Sequence, residues 1–194
     1  MAEAASAATW AERRAGERSM WVSDDLFDAP LVKIVHRLVA ALPHYRADYD
    51  TEASSDVLHL KHEWKLDELG ENPALRAIRD PIVAAVEQRY GQYQPELKRV
   101  HANDQAFGDI LTAHTDLQPG VTAIYYVNDA WEQAWDGETL FYAGGEAVTA
   151  VAPRPGRVIL FPADIVHRSG APSRVCRTTR RTIAFKFKTA TPVP

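Results

Sequence analysis

His114-Thr115-Asp116, His167 and Arg180-Arg181-Thr182 are the residues of this chain whose types and spacing point to chemistry. Two histidines and one carboxylate make a facial set of ligands that leaves coordination positions open, the arrangement of a non-haem Fe(II) site. Side chains at i and i+2 of a strand share a face, so His114 and Asp116 can grip one ion side by side. His167 closes the triad from another strand. Arg180 supplies what a triad lacks, a partner for the carboxylate of an organic acid bound beside the metal.

Each of these residues also has a plain reading. A His-x-Asp pair arises by chance, and His167 alone reads as a hydrogen-bonded loop histidine. Of the seven histidines, His36, His44, His59 and His62 look like surface or helix-face residues. Order and context favour the metal site. His114 and Asp116 precede a strongly apolar stretch, His167 follows Val158-Ile159-Leu160-Phe161-Pro162, and Arg180-x-Thr182 opens a last strand, Thr182-Ile183-Ala184-Phe185.

The elements that must position them follow from periodicity. Asp28 and Pro30 start a helix whose stripe is Leu31, Ile34, Val35, Leu38, Val39 and Leu42, ended by Pro43. Asn72-Pro73 starts a second, with Leu75, Ile78, Ile82, Val83 and Val86 as its stripe, a kink at Pro81 and a stop at Gly91. Between them, residues 57–62 alternate as a strand would. From Leu97 the texture turns to short strands, expected near 97–102, 110–116, 121–128, 138–142, 147–152, 157–162 and 180–187. Pro119-Gly120, Gly144-Gly145 and Pro155-Gly156 punctuate them. The pattern predicts an α+β chain with a jelly-roll or cupin-like β-core buttressed by N-terminal helices.

The chain has 194 residues, which suits one domain: a flexible lead over 1–20, helical support over about 21–95 and a β-core over about 96–190. A hydrophobic fraction of 46% and a charged fraction of 25% are those of an ordinary globular protein. A net charge of -4 gives no reason to expect a nucleic-acid partner. No segment approaches the run of about 20 apolar residues that spans a bilayer. Met1 to Arg18 lacks the apolar stretch of a secretory signal, and Cys176, the only cysteine, rules out an intrachain disulfide. A cytoplasmic location is the expectation. Nothing in the sequence fixes the oligomeric state.

The region from about Arg99 to Phe187 resembles the Fe(II)- and 2-oxoglutarate-dependent oxygenases, most closely their prolyl-hydroxylase-like branch. The matching pieces are His114-Thr115-Asp116, Ile124-Tyr125-Tyr126-Val127-Asn128, Trp131 and Trp135 before Asp136-Gly137-Glu138-Thr139, Pro155-Gly156-Arg157-Val158-Ile159-Leu160-Phe161, His167 and Arg180-Arg181-Thr182. The resemblance implies a double-stranded β-helix and a reaction that consumes 2-oxoglutarate and O2, releases succinate and CO2, and hydroxylates a C–H bond. It implies His114, Asp116 and His167 as Fe(II) ligands and Arg180 as the bidentate clamp of the distal 2-oxoglutarate carboxylate. Thr182, Tyr126 and His101 are implied as further cosubstrate contacts. Arg180 lies thirteen positions after His167, more than the family's usual spacing, so Arg177 is a rival clamp; the strand alternation favours Arg180. Relatives that halogenate replace the carboxylate ligand with a small residue, so an intact Asp116 argues for hydroxylation.

The substrate is read from position alone. Asn103, Gln105, Thr112 and Trp135 are the expected contacts, and Trp21, His59, His62, Trp64 and Asp104 are further pocket candidates; Asn103-Asp104-Gln105 reads equally as a turn. A small molecule, a free amino acid or a natural-product intermediate, is expected, since no docking module is evident. The alternatives are a peptidyl residue such as proline, and a non-enzymatic cupin-like metal binder that has no need of the arginine.

Overall fold

The computed structural model describes residues 8–48, 52, 58–109 and 111–194. In chain order the elements are β1 (Ala11–Ala15), β2 (Arg18–Ser23), α1 (Ala29–Ala40), β3 (Tyr45–Asp48), β4 (His59–Trp64), α2 (Glu68–Glu71), α3 (Pro73–Tyr90), β5 (Glu96–Gln105), β6 (Gly120–Tyr126), β7 (Thr139–Ala143), β8 (Glu146–Val151), β9 (Val158–Pro162), β10 (His167–Ser169) and β11 (Arg180–Lys188). Eight strands form one sheet in the order β1-β2-β9-β6-β11-β5-β4-β3, and β10-β7-β8 form a second. Every pairing is antiparallel.

The sequence period of two divides the large sheet into two working faces. On one face Val121, Ala123, Tyr125, Val158, Leu160, Ile183, Phe185 and Phe187 pack with Val35 and Val39 of α1 and Ile78, Ile82 and Val86 of α3. On the other, Ile124, Tyr126, Ile159 and Phe161 pack with Phe141 and Val151 of the small sheet. β6 is therefore buried at all seven positions, which explains its nearly unbroken apolar run. Each fully buried Ile or Phe in these rows contributes roughly 1.5–3 kcal/mol. Gly120 must open β6 as a glycine, because a Cβ there would lie 2.3 Å from the Phe187 carbonyl oxygen. These two facing sheets form a double-stranded β-helix.

The helices start where the sequence says. Asp28 accepts from the Leu31 N–H at 2.8 Å, and Asn72 accepts from those of Ala74 and Leu75. Pro81 sits inside α3, whose cap is Gly91.

Three expectations are corrected. The lead expected over 1–20 holds β1 and part of β2, a hairpin turned at Gly16 (φ 61°) on the edge of the large sheet; residues 1–7 lie outside the described residues. Met20 and Val22 face inward from β2, whose partner is the distant β9, a pairing that local pattern does not reveal. The N-terminal half is therefore not purely helical, since β1 to β4 complete the large sheet. The third correction concerns 110–116, expected as a strand: it is a connection that touches the small sheet at a single bridge, His114 to His167. Ile110 and Val57, each placed in an expected strand, lie outside the described residues.

Candidate active site

The single bridge does what a strand was expected to do. The His114 N–H donates to the His167 carbonyl at 3.0 Å, the His167 N–H returns the bond at 2.9 Å, and the Asp116 N–H donates to the Ala163 carbonyl at 2.8 Å. The crossing chain is thus pinned on both sides of Thr115. Ligand atoms of His114, Asp116 and His167 all lie within 4.8 Å of one another. The His114 Nε2 is 3.7 Å from Asp116 Oδ1, and the His167 Nε2 is 3.4 Å from Asp116 Oδ2.

Both imidazoles are set for ligation by the same device. The Nδ1 of His114 lies 3.0 Å from the Thr112 carbonyl oxygen and that of His167 lies 2.9 Å from the Ile165 oxygen. A carbonyl can only accept, so each Nδ1 carries the proton and each Nε2 keeps a lone pair for a metal. Burial pushes the His167 imidazole down to about 4, with Lys186 and His114 helping and Asp116 opposing, so it is neutral near pH 7. Its ring is held edge-on by Phe161 at 4.7 Å.

Asp116 is only 8% exposed at its side chain. Burial alone would raise its carboxyl, but the Lys186 ammonium, His167 and two hydrogen bonds hold it far below the ordinary carboxylate range. Those bonds reach one oxygen: Lys186 Nζ donates to Oδ2 at 2.5 Å and Thr122 Oγ1 donates to it at 2.6 Å. Together they fix the orientation of the carboxylate beside the two imidazoles.

Beside the triad opens a cavity of about 240 Å³. Its floor is the inner face of β5 and β11. In register, Arg180 lies opposite Gln105, Thr182 opposite Asn103, Ala184 opposite His101 and Lys186 opposite Arg99, and all eight line it. Arg180 closes the end away from Asp116. It is 1% exposed and has no carboxylate within ion-pair distance among the described residues. Its Nε donates to the Gly137 carbonyl at 2.6 Å, Nη1 to Gln105 Oε1 at 2.9 Å and Nη2 to Thr139 Oγ1 at 2.9 Å. A guanidinium has five N–H donors, so two remain for the cavity. Burial lowers its basicity, yet guanidinium stays charged in proteins. A buried cation paired only with neutral acceptors calls for an anionic ligand. Ser169 of β10 lines the cavity at this end and accepts from Gln105 Nε2. His167 lies on the same strand two residues from Ser169, roughly 7 Å of chain.

The residues expected at the site divide into three groups. His101, Asn103, Gln105 and Thr182 line the cavity with the triad and Arg180. The Nδ1 of His101 and Oδ1 of Asn103 are buried without a hydrogen-bond partner, two polar atoms that a ligand would satisfy. Burial, then Lys186, drops the His101 imidazole well below its ordinary value, so it is neutral. Tyr126 stands behind the cavity wall. Its ring lies 5.2 Å from the Arg180 guanidinium carbon. Its hydroxyl donates to the Val151 carbonyl and accepts from Thr139, whose oxygen accepts from Arg180. Tyr126 thus supports the arginine and does not face the cavity. Thr112 contributes its backbone carbonyl to His114, and Trp135 packs on Trp131 at 5.4 Å outside the lining. Of the two rival arginines, Arg180 faces the cavity and Arg177 is exposed outside it. His59, expected at the surface in one reading and in the pocket in another, is buried and lines the cavity; Trp21, His62, Trp64 and Asp104 do not line it.

Sequence reasoning missed Thr122, Thr139, Ser169, Arg99 and Lys186. Lys186 had a signal: it continues the alternation Arg180, Thr182, Ala184 by one step. Thr122 had one too, as the one threonine in a strand otherwise aliphatic and aromatic.

The family model of the 2OG-Fe(II) oxygenase superfamily matches residues 89–188, the stretch that carries every residue of the triad and the clamp. The chain belongs to this superfamily. Its members need Fe(II), 2-oxoglutarate and O2, so this protein is a 2-oxoglutarate-dependent non-haem iron oxygenase. Imidazole and carboxylate donors fit that metal, and Arg180, which meets no carboxylate at ion-pair distance among the described residues, fits the diacid. Among solved structures, a prolyl 4-hydroxylase from Phytophthora capsici superposes with a TM-score of 0.66 at 19% identity, covering 88% of this chain and 59% of that one. A Pseudomonas putida prolyl-4-hydroxylase gives a TM-score of 0.67 at 17% identity, covering 88% and 92%. HygX from Streptomyces hygroscopicus, crystallised with nickel and 2-oxoglutarate, gives 0.66 at 14% identity, covering 87% and 82%. These likenesses establish the fold. No curated protein matches the chain. Among the described residues no helix is long and apolar enough to cross a membrane.

Proposed function

We propose that this oxygenase hydroxylates an unactivated C–H bond of a small polar substrate, a free amino acid or a natural-product intermediate. His114, Asp116 and His167 hold the iron. Arg180 receives the distal carboxylate of 2-oxoglutarate through its two remaining N–H groups, with Thr182 beside it on the same strand face. Fe(II) with 2-oxoglutarate and O2 supplies oxidative decarboxylation to succinate and CO2 and delivers one oxygen atom to the substrate. The chain's own residues do the rest. The two backbone carbonyls fix the imidazole tautomers, Thr122 and Lys186 fix the carboxylate, and the Gly137, Gln105 and Thr139 acceptors fix the guanidinium before any ligand arrives. The apolar walls behind His167 keep water from that side of the metal. The lone Cys176 is consistent with a reducing cytoplasm as the working compartment.

The observation that carries this reading is Arg180, a fully buried cation with no carboxylate within ion-pair distance among the described residues, facing the triad across one cavity. A cavity of about 240 Å³ suits ligands of small-molecule size. The rival substrate class is a peptidyl residue such as proline, favoured by the likeness in fold to prolyl 4-hydroxylases and by Leu117, which lines the cavity yet is 46% exposed.

An anaerobic titration with Fe(II) and then 2-oxoglutarate tests the reading. A saturable visible charge-transfer band of the iron-bound 2-oxo acid is expected; iron binding without the band would overturn it. Turnover of free amino acids against proline-containing peptides, followed by succinate release, separates the two substrate classes.

A further inference from the structure

Fixing Asp116 uses only part of what Lys186 offers. Its side chain is 12% exposed, it lines the cavity, and it reaches Asp116 at the end opposite Arg180. Burying an ammonium costs free energy unless its donors are used. Asp116 Oδ2 shares its acceptor capacity between Lys186 and Thr122. An ammonium has three N–H donors, and Asp116 takes one.

The charge balance shows where the excess lies. Among the described residues, Arg99, Arg180 and Lys186 line the cavity with one carboxylate, Asp116. The two positive charges of Fe(II) are offset by the two carboxylates of 2-oxoglutarate, so loading leaves that excess unchanged. Arg180 is neutralised by the distal carboxylate. Arg99 already meets Glu63 at 3.1 Å. At the triad the metal, Asp116 and the remaining cosubstrate carboxylate balance, and Lys186 is left over. Arg99 is its register partner on β5, and His101, two residues along, offers a buried Nδ1 without a partner.

Building on the oxygenase reading, we infer that the substrate is an anion carrying a carboxylate, and that Lys186, flanked by Arg99 and His101, anchors that carboxylate at the metal end of the cavity. The anchor fixes one end of the substrate, so the C–H bond presented to the iron is set by its distance from the carboxylate. The arrangement mirrors the cosubstrate's: each of the two small acids has its own cation, Arg180 at one end and Lys186 at the other.

The test uses the intact protein loaded anaerobically with Fe(II) and saturating 2-oxoglutarate, so that Arg180 is occupied. Acetate, its uncharged isostere acetamide, and inorganic phosphate are titrated while the charge-transfer band is watched. Acetate is expected to perturb the band with a dissociation constant on the order of millimolar, and acetamide and phosphate are not. Lys186→Met is expected to weaken acetate about tenfold or more, with Lys186→Arg restoring most of it. Lys186 touches an iron ligand, so Arg99→Met serves as the second variant, with a loss of about threefold or more expected. Equal effects of acetate and acetamide, a response to phosphate alone, or wild-type acetate affinity in both Met variants would each overturn the inference. Absence of the 2-oxoglutarate band in the wild type would instead remove the oxygenase reading beneath it.

Discussion

Replacing Arg180 by Met tests the clamp most directly. Met roughly fills the volume but donates nothing. In the free protein the change relieves a buried cation and leaves the Gly137 carbonyl, Gln105 Oε1 and one lone pair of Thr139 without their donor. Those effects oppose each other, so the fold is expected to survive. Cosubstrate binding has no such compensation. Removing one partner of a buried, hydrogen-bonded charge pair costs about 2–5 kcal/mol, or roughly 30- to 5000-fold in the dissociation constant. Arg180→Lys keeps the charge and loses the planar fork, so an intermediate loss is expected. Arg177→Ala removes an exposed side chain outside the cavity and is expected to change affinity less than about threefold. The assay is the anaerobic 2-oxoglutarate titration on the Fe(II)-loaded protein, with Fe(II) affinity measured separately. A larger loss in Arg177→Ala than in Arg180→Met, with both folded, would refute the reasoning and move the clamp to Arg177.

Three further outcomes follow from particular contacts. Gly137 has φ 81°, and a Cβ there would lie 3.0 Å from Trp131 and 3.2 Å from Arg180 Cδ; Gly137→Ala should therefore raise the KM for 2-oxoglutarate several-fold without changing Fe(II) affinity, and an unchanged KM would show that the arginine does not depend on this turn. Thr122→Val removes one of the two donors on Asp116 Oδ2 and should weaken Fe(II) about 10- to 100-fold, read by metal titration; wild-type affinity would mean that Lys186 alone holds the carboxylate. For pH, His167 sits at about 4 in the folded chain against an ordinary 6.5, so between those values the unfolded chain binds more protons. The stability of the metal-free protein should then fall as pH drops through that window, by about 2 kcal/mol between pH 7 and 4.5. His101 acts in the same direction, whereas Asp116, with its lowered carboxyl, contributes a loss only below the ordinary carboxylate range. Urea unfolding at the two pH values measures it, and equal stabilities would contradict the burial of a neutral His167.

The ligand types and much of the β-core were legible in the chain itself. Alternation in Arg180, Thr182 and Ala184 says that these side chains share a strand face, whatever that face meets. Capping at Asp28 and Asn72 is equally local, because the cap and the N–H groups it satisfies are neighbours in sequence. The β1–β2 hairpin was misread as a loose lead because its strand character depends on β9, more than a hundred residues away. The connection 110–116 was misread in the opposite sense. Its apolar and polar residues suggest a strand, but among the described residues it makes one bridge, His114 to His167, and one further backbone bond, from Asp116 to Ala163.

The sequence by itself determined which groups exist to do chemistry: two imidazoles, a carboxylate and an arginine, in an order that the oxygenase superfamily shares. Tertiary structure decided what each group is for. It buried Arg180 in the cavity wall and left Arg177 on the surface, a choice that spacing left open. It turned Tyr126 from a ligand contact into a support for the arginine, moved Trp135 off the cavity wall, and brought Lys186 against Asp116 across seventy residues of chain. The physical reason is that identity and strand phase are one-dimensional, whereas burial, charge balance and the direction of a lone pair depend on which distant strands share a sheet.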